Sequence, residues 1–301
     1  MALVSDVLHE PCATRHVTVS LCILVHDRPT ELAEALASGD DQPWDEVIVL
    51  DMASDPPIPP SPGVRWLRSD ANVGVTAGRN RLAQEASGDI LVFLDDDAVF
   101  LTPAVERLRA AFGADEALGA VAFRVRRAVG AVASLEHPFR GAGSESARAT
   151  PSECTYFVGC GYAMRRDAHL AAGGYDDRFF YSTEEVDLSF RLLRDGWRLE
   201  YDPSIEVEHR PSHRGRDGSF SVPGWRLRNR LLLVRAHLPM PVAAAHALVW
   251  SSRTGIEALR QRSVSNWWRL GREGLVLPVD RRPLPWRSLL RIHRQGGRVL
   301  Y

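Results

Sequence analysis

The chain has 301 residues, 45% of them hydrophobic and 25% charged, a balance that excludes a disordered or fibrous protein and suffices for one large core or two modest ones. Its net charge of -1 hides two opposed halves: residues 1–213 hold 20 arginines against 34 acidic residues, and residues 214–301 hold 17 against 4. There is no lysine, which excludes a Schiff-base nucleophile and a P-loop lysine.

Residues 17–25 are apolar and β-branched and predict a first strand, and Pro29 opens a helix over 29–37. A buried strand over 46–50 ends at Asp51, a proline-rich link over 56–62 leads to a short strand at 64–68, and residues 75–87 predict a helix that Gly88 stops. The apolar run 90–94 predicts the next strand, and Asp95, Asp96 and Asp97 follow it directly. Carboxylates so close repel one another and are stable together chiefly around a hard divalent cation or another positive group. An acidic helix start is the alternative, because Thr102-Pro103 nearby is itself a helix-start signal.

Further along, residues 103–112 predict a helix and 119–125 a strand, and the glycine, serine and alanine of 130–151 read as a mobile loop. A strand over 156–164 contains Gly159 and Gly161, where a ligand or another backbone can approach closely. Glu184, Glu185 and Asp187 open a helix over 184–194 that Gly196 stops, and a strand-like stretch at 205–208 precedes His209. Beyond residue 222 the pattern is helical and basic.

Alternating strands and helices predict an α/β fold with a mainly parallel sheet flanked by helices. Ligands of such sheets collect beyond the carboxyl ends of the strands, so Asp27, Asp51 and the three consecutive aspartates face one crevice. The stretch GVTAGRN at 74–80 lacks dinucleotide-type glycine spacing, and phosphates meeting these acids need a metal between them. A metal-bridged nucleoside diphosphate fits that chemistry. Cys12, Cys22, Cys154 and Cys160 show no zinc or redox spacing and read as buried or free thiols. The N-terminus shows no secretory pattern, from which a cytoplasmic location is expected.

Read in order, LCILVHDRPTEL, VIVLDMASD, NVGVTAGRNRLAQEASGDILVFLDDD, FVGCGYAMRR, GGYDDRFFYSTEEVDLSFRLLRDGW and DPSIEVEHR resemble family 2 glycosyltransferases of the GT-A fold, over about residues 17–209. The resemblance implies transfer of a sugar, with inversion, from a nucleoside diphosphate donor (a UDP- or dTDP-sugar) to an acceptor hydroxyl with Mn²⁺ or Mg²⁺. It divides the chain into a catalytic domain over 1–213 and a helical extension over 214–301. Position by position, it implies that Asp51 receives the base N3-H, that Asp95 or Asp96 lies near the ribose, that Arg79 approaches the diphosphate, and that Asp97 and His209 hold the metal. Gly159 and Gly161 would leave room for the donor sugar. Asp27 stands where the family often has asparagine, which leaves its role in donor binding open. Glu185 falls on the catalytic-base position, which is usually aspartate, so Asp187 stays an alternative base.

Tryptophan and arginine mix in the extension, as suits an anionic membrane surface, which would make the enzyme peripheral on the inner face of the membrane. The apolar stretch at 231–250 cannot span, being broken by Arg235, Pro239 and Pro241. Nucleic acid is not expected, for no recognition motif is present and the acidic half repels phosphates. Packing of the basic helices onto the acidic half is the alternative. Two rival functions are a phosphotransferase of the haloacid dehalogenase type, because residues 95–99 satisfy DxDxV, and a nucleotide-sugar-binding module without catalysis.

Overall fold

The computed structural model describes residues 16–129, 132–136, 138–139, 149–179, 183–211 and 222–295, so Cys12, most of the predicted loop between 137 and 148, and His213 lie outside the described residues. The elements begin with β1 (Val19–Val25), α1 (Pro29–Ala37), β2 (Glu46–Met52), β3 (Arg65–Ser69), α2 (Gly74–Glu85), β4 (Ile90–Asp95), β5 (Ala98–Phe100) and α3 (Val105–Ala114). They continue with β6 (Leu118–Val129), β7 (Val132–Glu136), β8 (Ser152–Glu153), β9 (Gly161–Arg165), α4 (Arg166–Ala171), α5 (Glu184–Arg194) and β10 (Arg198–His209). Four helices close the chain: α6 (Val222–His237), α7 (Met240–Arg260), α8 (Val264–Val276) and α9 (Trp286–Arg294).

The strands form one sheet in the order β3-β2-β1-β4-β9-β6-β10-β5, with β7 paired to β6 and β8 to β10. β1 pairs in parallel with β2 on one side and with β4 on the other. The chain therefore builds outward through β2 and β3, then returns to the opposite flank of β1. At such a reversal the connections leaving neighbouring strands diverge and open a crevice at the carboxyl ends. Past β4 the sheet is mixed: β9 runs antiparallel to β4 and β6, and β6 runs parallel to β10.

Alternation along the strands sends side chains to two cores. Leu21, Ile23 and Val25 pack with Leu32 of α1 and with Leu108 and Phe112 of α3. On the other face, Cys22, Ile48 and Leu50 pack with Leu82 of α2 and with Leu188 and Leu192 of α5. Both faces of β4 are covered, which is why it reads as an unbroken apolar run instead of an alternating one.

Three sequence expectations need correction. The strand expected over 156–164 starts only at Gly161, because the Gly159 carbonyl accepts from Arg79 and the Cys160 carbonyl from the Asp95 N-H, holding this backbone in a turn. Part of the expected loop at 130–151 is β7, hydrogen-bonded to a β6 that is much longer than expected. The short β5 had no signal of its own, since its three residues are fixed by pairing with the end of β10.

The extension packs on the sheet domain through apolar contact. Val186 and Phe190 of α5 join Leu232, Leu233 and Val234 of α6 and Leu289 and Ile292 of α9 in a third buried cluster. Each such aliphatic side chain contributes about 1.5–3 kcal/mol on burial. Several of its arginines bond within the extension: Arg226 and Arg228 pair with Glu257 and Glu273, and Arg235 donates to the carbonyls of Gly274 and Leu277, while Arg228 also donates to the Arg178 carbonyl at 2.7 Å. Arg291 does reach across, to Glu153 at 2.8 Å. No helix among the described residues is long and apolar enough to cross a membrane.

Candidate active site

β4 ends on Asp95, and Asp96 and Asp97 make the turn into β5. The helix-start reading of the three aspartates is therefore wrong, for α3 begins only at Val105. His209 closes β10 opposite Ala98 of β5, and this register brings its Nε2 to 3.4 Å from Asp97 Oδ1. Asp95, Asp97 and His209 each offer one ligand atom, all within 4.8 Å of one another. Two carboxylates and an imidazole form a donor set that fits Mn²⁺ or a similar divalent cation. Asp96 stands outside this donor set, and burial, reinforced by Asp97 and Asp95 and opposed by Arg28, pushes its carboxyl up to about 7.

Guanidinium groups also stand among these acids. Arg28, at the entrance of α1, donates from Nη1 to Asp96 Oδ1 at 2.8 Å and to Asp97 Oδ2 at 3.2 Å. Arg79 of α2 donates from Nη2 to Asp95 Oδ1 at 2.8 Å and to the Gly159 carbonyl at 2.6 Å. Instead of lying on the helix surface, Arg79 is almost fully buried, with its guanidinium over the rings of Tyr162 and Tyr175 at 5.7 and 5.8 Å. Despite the cost of burying it, the phenols and carboxylates around it keep it firmly protonated.

Gly159 shows how the second acidic group joins the first. A Cβ at this position would overlap Glu185 Oε1 and come within 3.2 Å of Arg79 Nη1, so glycine leaves room here for the ends of both side chains. Glu185 thus lies close to Arg79, whose Nη2 holds Asp95 while its buried Nη1 has no hydrogen-bond partner among the described residues. Burial raises the Glu185 carboxyl above the usual range against the pull of Arg79, and Glu184, fully enclosed and next to Glu185, is raised further. Thr183 enters the helix with φ of 75°, and Asp27 leaves β1 with φ of 57°, so two left-handed residues flank the crevice.

Asp187 points elsewhere. Its Oδ1 lies 2.7 Å from His237 Nε2 of α6, and its Oδ2 accepts from Arg191 at 2.7 and 3.0 Å. Burial pushes this carboxyl up, but the His237 hydrogen bond and Arg191 outweigh it and hold it below the ordinary value. Gly161 also faces away from the crevice, because a Cβ there would meet Val207 and Phe123 in the core. Asp51 is completely buried at the end of β2, accepting from Ser54 N-H at 2.9 Å and pairing with Arg68. Asp27 Oδ1 accepts from the Asp55 N-H and the Asp27 N-H donates to Ser54 Oγ, so Asp27 braces the loop that carries Asp51's partner Ser54.

Sequence reasoning missed Arg28 and His237. The first lies inside LCILVHDRPTEL, one residue after Asp27, where an arginine feeding a crevice of carboxylates is a usable signal. The second sits 50 residues from Asp187 at the end of the arginine-containing helix α6, with nothing local to mark it.

The sequence model described as Glycosyl transferase family 2 matches residues 20–171, half of the chain. The chain belongs to this family. An N-acetylglucosaminyl-diphospho-decaprenol L-rhamnosyltransferase of Mycobacterium tuberculosis (strain ATCC 25618 / H37Rv) is 42% identical over 73 residues, 23% of this chain and 24% of that protein. The chain thus spans about a quarter of the length of such curated relatives. Among solved structures, GalNAc-T7 with UDP, GalNAc and Mn²⁺ superposes with a TM-score of 0.60 at 18% identity, over 77% of this chain and 52% of that one. The mannosyltransferase PcManGT from Pyrobaculum calidifontis, in complex with GDP-Man and Mn²⁺, gives 0.51 at 17% identity over 95% and 84%. These likenesses establish the GT-A fold.

Proposed function

We propose that this family 2 member is an inverting, metal-dependent glycosyltransferase that moves a sugar from a UDP- or dTDP-linked donor to an acceptor hydroxyl. The observation that carries the reading is the Asp95, Asp97 and His209 donor set at the strand ends, with Arg79 bonded to Asp95 and Glu185 close to the same guanidinium. Asp97 and His209 would hold Mn²⁺ or Mg²⁺, which when bound offsets the charge of the departing nucleoside diphosphate.

The chain's own residues do the rest. Asp51 receives the N3-H of the base and Asp95 or Asp96 approaches the ribose, while Arg79 and Gly159 border the diphosphate and the donor sugar. Glu185, its carboxyl raised by burial, accepts the proton of the acceptor hydroxyl as that oxygen bonds the anomeric carbon. The bond from that carbon to the diphosphate breaks on the opposite face, which inverts the configuration. The pairing of Asp187 with His237 and Arg191 supports Glu185, not Asp187, as the base.

The phosphotransferase alternative loses support because the aspartates follow β4, not the first strand, and the chain has no lysine. The surplus of positive charge in the extension supports attachment at an anionic membrane on its inner face, near the acceptor. A screen of UDP-, dTDP- and GDP-sugars by thermal shift with Mn²⁺ tests the donor, because binding to the folded state raises its stability. A UDP- or dTDP-sugar should raise Tm in Mn²⁺ and not in EDTA, and acceptor should then release the nucleoside diphosphate. Donor binding without any release on acceptor addition would favour a binding module, and phosphate release from a monoester would favour the phosphotransferase.

A further inference from the structure

Helix α7 is built inside out. Apart from Val242, its buried positions are small or polar, with Ala243, His246, Thr254 and Ala258 turned to the protein. Its large aliphatic side chains face water: Leu248 is 70% exposed and Leu259 67%, with Met240, Val249 and Ile256 exposed beside them. The spacing from 241 through 244 and 245, 248, 252 and 256 to 259 is that of one helical stripe, and all of these positions are exposed. Residues 240–252 contain no Asp, Glu or Arg, so the uncharged part of the helix runs for about 20 Å. Scattered exposed apolar residues are ordinary, but a stripe over most of a helix that is apolar at every position except Ser252 calls for a cover.

The surroundings say what covers it. Arg253, Arg260 and Arg262 follow on the same helix end and turn, and Arg269 and Arg272 lie on α8 beside the exposed Trp268. The acids of these two helices are engaged, Glu257 with Arg226 and Glu273 with Arg228. An apolar stripe beside a basic rim matches the interface of an anionic bilayer, where aliphatic side chains enter the acyl boundary and arginines meet headgroups. A second copy of this chain fits worse, since pairing the same face would bring the two basic rims together.

We infer that the exposed face of α7, with Met240, Leu248, Val249, Ile256 and Leu259, lies in the interface of an anionic bilayer as a monotopic helix. The inference rests on the membrane attachment proposed above and names the surface that makes it. With α7 lying flat on the lipid, the α6 contacts to α5 tie the membrane face to the helix that carries Glu185.

The test is sedimentation of the full-length protein with vesicles of phosphatidylcholine alone or mixed with phosphatidylglycerol, at low and high salt. Wild type should bind the mixed vesicles and release partly at high salt. Leu248→Glu together with Leu259→Glu should weaken binding at least tenfold with Tm unchanged, because both side chains are already in water. The fluorescence of wild type should be quenched by brominated lipid, and less so in Trp268→Phe. If the double variant binds as wild type does, the α7 face is not the anchor and this inference falls while the attachment reading stands. If wild type binds no mixed vesicles at low salt, both fall. Dimers in analytical ultracentrifugation that the double variant dissolves, with no vesicle binding, would assign the face to a second copy and overturn the inference.

Discussion

The two acidic groups of this chain are alike in composition and opposite in arrangement. Asp95, Asp96 and Asp97 stand at the end of a strand, where the turn holds all three near one crevice and Arg28 and Arg79 offset their charge. Glu184, Glu185 and Asp187 open a helix, where each residue turns about 100° from the last. Glu185 and Asp187 are therefore on different faces, one against Gly159 and Arg79, the other against His237. Three acids at a strand end can act on one ligand, whereas three acids at a helix start are divided between a site and a scaffold.

The largest expected effect breaks the site side of that division. Glu185→Gln should lower turnover by about two orders of magnitude or more while leaving the donor Kd within about twofold, the pattern of a lost general base. In wild type the acid limb of the rate profile should lie above the ordinary carboxylate range, activity rising with pH as the raised Glu185 carboxyl ionises. Near-normal turnover in Glu185→Gln, with Asp187→Asn inactive yet fully stable, would exchange the two roles.

The scaffold side should answer in stability. His237→Ala removes a buried hydrogen bond to an ionised carboxylate and should cost about 1.5–3 kcal/mol in urea unfolding, with donor affinity unchanged. Because the Asp187 carboxyl is held below its ordinary value of 3.8, its contribution is complete above that pH and lost as pH falls through the depressed value. Acid unfolding of His237→Ala should accordingly show a smaller loss of stability below pH ~4 than wild type does. An equal loss in both proteins would mean that Asp187 does not depend on His237.

Much of this was legible in the sequence because the signals are local. Strand β4 announces itself as an apolar run closed by three aspartates, α1 by its proline, and α5 by its acidic start and its period. The placement of Asp51 and Asp95 at one edge of the sheet, beside the end of β1, followed from the parallel order of these strands. What escaped depends on contacts across the fold. β5 exists only through pairing with β10, Gly161 serves the packing of Val207, and Asp187 takes its partner from a helix 50 residues on. The burial of Arg79 escaped as well, since the enclosing Tyr162 and Tyr175 come from far along the chain.

The central claim is that Asp97 and His209 make donor binding depend on a divalent cation, and titration calorimetry of UDP and dTDP tests it without knowledge of the acceptor. Wild type should bind one of these nucleotides at least tenfold more tightly in Mn²⁺ than in EDTA, and Asp97→Ala, folded by circular dichroism, should lose that difference. Equal affinity of wild type in Mn²⁺ and in EDTA, or an Asp97→Ala protein that still gains the full Mn²⁺ effect, would contradict the account.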